Sequence, residues 1–132
     1  MKPRDSSRRF PKLVALAILP LLLSGCIGGK TEQAYLIATG GAAVRGKQLI
    51  TQYNCGSCHT IPGVAGARGV VGPPLFFFSR RTYIAGELPN SPDNLARWIA
   101  SPQSVEPNTA MPTLGLNEQQ ARDVAAYLYT LE

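Results

Sequence analysis

The chain has 132 residues, 13 basic and 8 acidic side chains and a net charge of +5, enough for one domain of ordinary size beside a targeting segment. The charge gives no basis for a nucleic-acid partner, because Lys2, Arg4, Arg8, Arg9 and Lys12 all stand near the N-terminus and from Cys26 onward eight basic residues face seven acidic ones. The basic balance belongs to the leader and not to the domain that follows.

In chain order, a basic stretch from Lys2 to Lys12 precedes an apolar run, Leu13 to Leu23, broken by Pro20 and followed by Ser24-Gly25-Cys26. This is the layout of a secretory signal peptide, and the run is short of the roughly 20 apolar residues a membrane-crossing helix needs. The Leu23-Ser24-Gly25-Cys26 ending resembles a bacterial lipobox, which implies cleavage before Cys26 and lipid on its sulfur and amine. The alternative is an incidental cysteine beside an ordinary cleavage site or an uncleaved anchor. Each buried lipid methylene contributes about 0.8 kcal/mol, and two or more chains hold a protein stably on a bilayer. The expected organisation is a leader over 1–25, a tether of uncertain order over 26–41 and a folded domain over 42–132. The domain is expected outside the cytoplasm, on the periplasmic side of a bacterial inner membrane.

Helical spacing begins near Ala42, with Ala43, Gly46, Leu49, Ile50 and Tyr53 on one face. This helix is expected to end before Cys55, with Asn54 as a left-handed terminating residue. Residues 61–79, punctuated by Gly63, Gly66, Gly69, Gly72, Pro62, Pro73 and Pro74, read as a loop that closes on Leu75-Phe76-Phe77-Phe78. A short helix follows: Ser91 caps it, Pro92 suits its first turn, Asp93 favours its positive end, Leu95, Trp98 and Ile99 share a face, and Pro102 stops it. The last helix starts at Asn117 with Gln120 three residues on, and Ala121, Val124, Ala125, Leu128 and Leu131 form its stripe. No stretch alternates as a strand, so the expected class is all-α.

The chemistry centres on Cys55-Gly56-Ser57-Cys58-His59. Two thiols two residues apart with histidine next form the haem c attachment pattern: the thiols add across the two vinyl groups while His59 reaches the iron from the same segment. A redox dithiol needs no such histidine and usually sits in a βαβ setting. A structural zinc site wants four protein ligands, and beyond Cys55, Cys58 and His59 only Cys26 is left to serve. Met111 is the one methionine besides Met1. It lies in Ala110-Met111-Pro112, a loop and not a helix face, and His/Met is a common axial pair in cytochromes c. The other role for such a residue is to fill space in a core.

With Gly72-Pro73-Pro74-Leu75, Trp98-Ile99-Ala100-Ser101-Pro102, Pro107-Asn108-Thr109-Ala110-Met111-Pro112 and Val124-Ala125-Ala126-Tyr127-Leu128 beside the attachment motif, the chain from about Ala42 resembles a class I cytochrome c. The resemblance implies one covalent haem c and first and last helices that cross, with Gly46 close to Tyr127. It implies that the Pro73 carbonyl accepts a hydrogen bond from His59, that Trp98 lies against the haem, and that Thr109, Arg80 or Arg81 helps hold a propionate. Phe76-Phe77-Phe78 departs from the family's usual polar or glycine positions; it packs on haem or forms a partner-facing patch.

Through Arg81-Thr82-Tyr83-Ile84-Ala85-Gly86 and the helix after it, the chain is most similar to small c-type domains associated with respiratory oxidases, some fused to an oxidase copper subunit. It carries no copper-binding cysteine-histidine set. The implied role is therefore a non-enzymatic electron carrier, or a subunit of an oxidoreductase complex, that delivers electrons to a terminal oxidase or takes them from a quinol-oxidising complex. With both axial positions filled by protein, one-electron change is the chemistry left. A haem enzyme or gas sensor would want a distal acid-base group, and none is evident.

Overall fold

The computed structural model describes residues 27–132, with side chains described from Glu32 onward. The leader over 1–25 and Cys26 lie outside the described residues. Four α-helices follow in order: α1, Ile27–Thr39; α2, Ala43–Gln52; α3, Pro92–Ala100; and α4, Glu118–Tyr129. Single 3-10 turns stand at Cys55–Ser57, Phe78–Arg80 and Pro102–Ser104. The architecture is the expected one, helices around a long irregular loop, with α2 and α3 both packed on α4.

The start signals of α3 and α4 operate as their chemistry requires. Ser91 accepts from the Asn94 N–H at 3.4 Å. Asn117 and Gln120 form a reciprocal capping box, both bonds at 2.9 Å, so two N–H groups that a helix start leaves orphaned are satisfied. Asn54 ends the α2 segment at φ 53°, in the left-handed region. The buried faces match the periodic stripes: Ala43, Gly46 and Ile50 on α2, Leu95 and Ile99 on α3, and Ala121, Val124, Ala125 and Leu128 on α4. Burying a side chain such as Ile50 contributes about 1.5–3 kcal/mol.

The two ends of the domain meet at Gly46. A Cβ there would lie 1.9 Å from the Asp123 carbonyl oxygen and 3.1 Å from the Tyr127 Cβ, so the α4 backbone at Asp123 is the nearest neighbour and Tyr127 the next. Ala121, Ala125 and Ala126 are fully buried on the same helix, and such small side chains allow helix axes to approach closely.

Two features differ from the sequence expectation. Residues 83–84 and 88–89 form a two-stranded antiparallel ladder, Tyr83 opposite Pro89 and Ile84 opposite Leu88. Its turn places Ala85 and Gly86 at positive φ, 54° and 81°, with the Glu87 N–H bonded to the Ile84 carbonyl at 3.0 Å. Two-residue strands are too short to show alternation, and Ala-Gly is not the usual Asn-Gly hairpin signal.

The second difference is that Ile27–Thr39, read as a tether of uncertain order, is helical. Its C-terminal end is held by α4: Arg122 donates to the Thr39 carbonyl at 3.4 Å and Gln119 to the Gly40 carbonyl at 2.9 Å. Those anchors are 79 or more residues away in sequence, beyond what a local pattern can show.

Asp123 completes this junction. It is 3% exposed; it accepts from the Ala42 N–H at 2.8 Å, from Arg45 through two bonds of 2.9 Å, and from Gln119 at 3.2 Å. The carboxylate thus sits at the N-terminal end of α2, bonded to the N–H of its cap residue Ala42, where the helix dipole favours a negative charge. Burial pushes the Asp123 carboxyl up, but the hydrogen bonds from Arg45, Ala42 and Gln119 prevail and hold it below the ordinary range. A folded value below the unfolded one gives stabilisation that is complete above the unfolded range, about pH 3.9, and is lost as pH falls through the folded value. Asp123→Asn should cost about 1–3 kcal/mol at pH 7, the loss of a buried charged hydrogen-bond acceptor. The deficit should shrink toward pH 3. Urea unfolding at the two pH values checks this, and a deficit that does not change with pH would disprove it.

Candidate functional site

The attachment motif is wound into one turn at the end of α2. Past Asn54 the chain reverses, and the carbonyl of Cys55 accepts from the N–H groups of Cys58 at 3.2 Å and His59 at 3.0 Å. Both thiols are free and half-buried. Burial pushes the Cys55 thiol up, opposed by a hydrogen bond from its own backbone and assisted by Cys58. No group of three or more His, Cys, Asp or Glu side chains among the described residues is arranged to hold a metal ion.

The loop after His59 is stitched to the motif. Gly69 N–H donates to the Gly56 carbonyl at 2.9 Å, Gly72 N–H to Cys58 at 2.8 Å and Leu75 N–H to Thr60 at 2.8 Å. The Thr60 hydroxyl donates to the Gly69 carbonyl at 2.9 Å. From the far side, the Tyr127 hydroxyl on α4 donates to the Pro62 carbonyl at 2.7 Å.

The result is a fixed imidazole. His59 Nδ1 lies 2.8 Å from the Pro73 carbonyl oxygen; a carbonyl only accepts, so Nδ1 carries the proton and Nε2 presents its lone pair. The ring is also confined by Gly72, where a Cβ would lie 2.3 Å from His59 Cε1 and 2.6 Å from Nδ1. Only glycine leaves room for the imidazole at that point.

Met111 and Thr109 form a second unit, on the loop between α3 and α4. The Met111 N–H donates to the Thr109 hydroxyl at 3.3 Å, and Gln103 donates to the Met111 carbonyl at 2.7 Å; Thr113 in turn donates to Gln103. Met111 is half-buried, as is Trp98 on α3, which packs on the core. Among the described residues no hydrogen bond joins this unit to the His59 unit. Thr109 is engaged with the Met111 backbone.

The paired arginines differ in their surroundings. Arg81 donates to the carbonyls of Pro74 and Phe76, whereas Arg80 lies 5.6 Å over the ring of Phe77. Of the three phenylalanines only Phe78 enters the core, edge-on to Tyr129 with ring centroids 6.3 Å apart. Phe76 and Phe77 are 46% and 59% exposed.

This donor set fits a covalently attached haem: two free thiols, an imidazole with a directed Nε2 lone pair, and a neutral thioether on a separate loop. Residues 43–132 match the cytochrome c family model, and the chain belongs to the cytochrome c family. Membership implies covalently bound haem c, electron transfer and a place outside the bacterial cytoplasm.

Among similar proteins, the chain is 34% identical over 91 residues to cytochrome c oxidase subunit 2 of Alkalihalophilus pseudofirmus, covering 68% of this chain and 26% of that one. It is 31% identical over 100 residues to subunit 2 of Bacillus sp. strain PS3, covering 73% and 28%. With subunit 2 of Bacillus subtilis it shares 32% identity over 71 residues, covering 52% and 20%. The chain thus spans about a quarter of the length of these relatives, and α1 precedes the family match.

Three contributors escaped sequence reading. Asp123 stands off the apolar stripe of α4 and carries no motif. Arg81 was expected as a candidate for holding a propionate, and its bonds to the carbonyls of Pro74 and Phe76 carry no local signal. Tyr127 was legible as a packing residue, while its hydroxyl's partner, Pro62, is 65 residues away.

Proposed function

We propose that this chain is a lipid-anchored monohaem cytochrome that carries single electrons on the extracytoplasmic side of a bacterial membrane and delivers them to a terminal oxidase. In this reading Cys55 and Cys58 hold the haem through thioether bonds, His59 and Met111 are its axial ligands, Trp98 packs against it and Cys26 bears the lipid. The observation that carries the reading is the His59–Pro73 bond. It sets the tautomer, aims Nε2 and raises the basicity of the ring, as outer partners of metal-bound histidines do.

The haem, when bound, supplies the ferric–ferrous couple. The protein's share is to hold the imidazole by Pro73 and Gly72, to present the Met111 thioether on a loop braced by Gln103 and Thr109, and to fasten the loop after His59 to α4 through the Tyr127–Pro62 bond. The oxidase as partner is supported by the names of the relatives. Anchoring is supported by the sequence around Cys26 and is compatible with a domain in which no helix among the described residues is long and apolar enough to cross a membrane.

Expressed with its leader and haem-maturation machinery, the protein should fractionate with membranes and retain its haem through acid-acetone extraction, with the alkaline pyridine spectrum of a two-thioether haem. Cys26→Ser should lose membrane association, or remain an unprocessed precursor, with that spectrum unchanged. Freely extracted haem would overturn the attachment. A wild-type product without lipid, and with residue 26 not at its N-terminus, would overturn the anchor.

A further inference from the structure

We infer that Arg81 is a positioning residue for the His59 imidazole, acting through the backbone of residues 73–76. This inference rests on His59 being an axial ligand. Pro73 and Pro74 have no N–H groups, so across these two residues the segment cannot be fastened by its amides. It is fastened by its carbonyls: Pro73 O accepts from His59 at 2.8 Å, and Pro74 O and Phe76 O both accept from the Arg81 guanidinium. The Leu75 N–H, donating to the Thr60 carbonyl at 2.8 Å, is the amide that assists them.

Arg81 is itself set firmly. Its guanidinium lies 5.1 Å over the ring of the buried Phe78, and its N–H donates to the Phe78 carbonyl at 3.1 Å. Its carbonyl accepts from Asn90 Nδ2 at 3.0 Å, a group that also donates to Phe78 O at 3.1 Å. Asn90 Oδ1 accepts from the Tyr129 hydroxyl at 2.9 Å. A path of hydrogen bonds therefore runs from α4 through Asn90 and Arg81 to the carbonyl next to the one His59 uses.

Positioning and simple charge make opposite predictions for the reduction potential. A cation near the haem disfavours the ferric state, so if charge were its whole effect, a neutral residue would lower the potential. Loosening the His59 Nδ1–H bond makes the imidazole a poorer donor to ferric iron, so loss of positioning raises it. Lysine keeps the charge but lacks the planar group that stacks on Phe78 and directs the donors.

The test is the solvent-exchange rate of the His59 Nδ1–H, read by NMR in the haem-loaded protein, together with the potential. In Arg81→Lys the exchange should accelerate about tenfold or more, as expected when the clamp on a hydrogen-bonded segment is released, and the potential should rise. Arg81→Gln should accelerate exchange equally, with far-UV circular dichroism to show that it folds; if it does not fold, Arg81→Lys decides alone. A lysine variant with wild-type exchange and potential would overturn the proposal in favour of charge. Unchanged exchange with a falling potential in Arg81→Gln would likewise overturn it. If the wild type shows no iron-shifted Nδ1–H resonance at all, the assignment of His59 as ligand fails first, independently of Arg81.

Discussion

Replacing Met111 by alanine should lower the reduction potential by on the order of a hundred millivolts or more, within the roughly 0.8 V range that axial ligands command. A neutral thioether favours ferrous iron, and its loss leaves water or another weak donor that does not. The Met111 loop is held by its backbone, through Gln103 and the Thr109 hydroxyl, so truncating the side chain should leave the loop in place and expose the iron. The low-spin spectrum should give way to a high-spin or mixed one, and carbon monoxide should bind the ferrous form. Met111→His should restore six-coordination while keeping the potential low. Redox titration and carbon monoxide binding check these outcomes. Rapid carbon monoxide binding by the wild type, with no change on substitution, would make Met111 a packing residue and return the reading to a sensor or enzyme.

Gly72→Ala should damage the other side of the site as severely. The added methyl would lie 2.3 Å from His59 Cε1 and 2.6 Å from Nδ1, closer than nonbonded atoms approach, and the Gly72 N–H is bonded to the Cys58 carbonyl at 2.8 Å. The backbone cannot retreat without breaking that bond, so the imidazole has to move away from Pro73. The expected outcome is a low yield of haem-loaded protein whose spectrum shows a weakened or absent His59 ligand. Gly66→Ala is the control: a Cβ there meets nothing within 4 Å, although its φ of +75° adds some backbone strain. Equal haem yield and identical spectra for wild type and Gly72→Ala would show that the ring is seated elsewhere in the loaded protein.

Much of this molecule is determined locally and was therefore legible before any coordinates. Asn117 with Gln120, Ser91 with Pro92, and Asn54 before Cys55 are signals within a few residues of the helix ends they mark, and each operates as its chemistry dictates. The attachment motif is contiguous, so the proximity of two thiols and an imidazole needs only one turn of backbone. Periodic stripes identified the buried faces of α2, α3 and α4 because the 3.6-residue repeat maps directly onto a surface.

What only the tertiary structure decided are the contacts whose partners are far apart in sequence. Ile27–Thr39 is a helix whose end is held by Gln119 and Arg122 of α4, and glycines near its start made it read as a tether. Asp123 accepts from the Ala42 N–H, 81 residues away at the start of α2, a partner that nothing in the residues around Asp123 marks. Arg81 clamps carbonyls because two adjacent prolines leave no amides to hold there, a need that arises only once the loop has folded back on His59. Local backbone chemistry is written in neighbouring letters, whereas the satisfaction of a distant donor or acceptor depends on which elements the fold brings together.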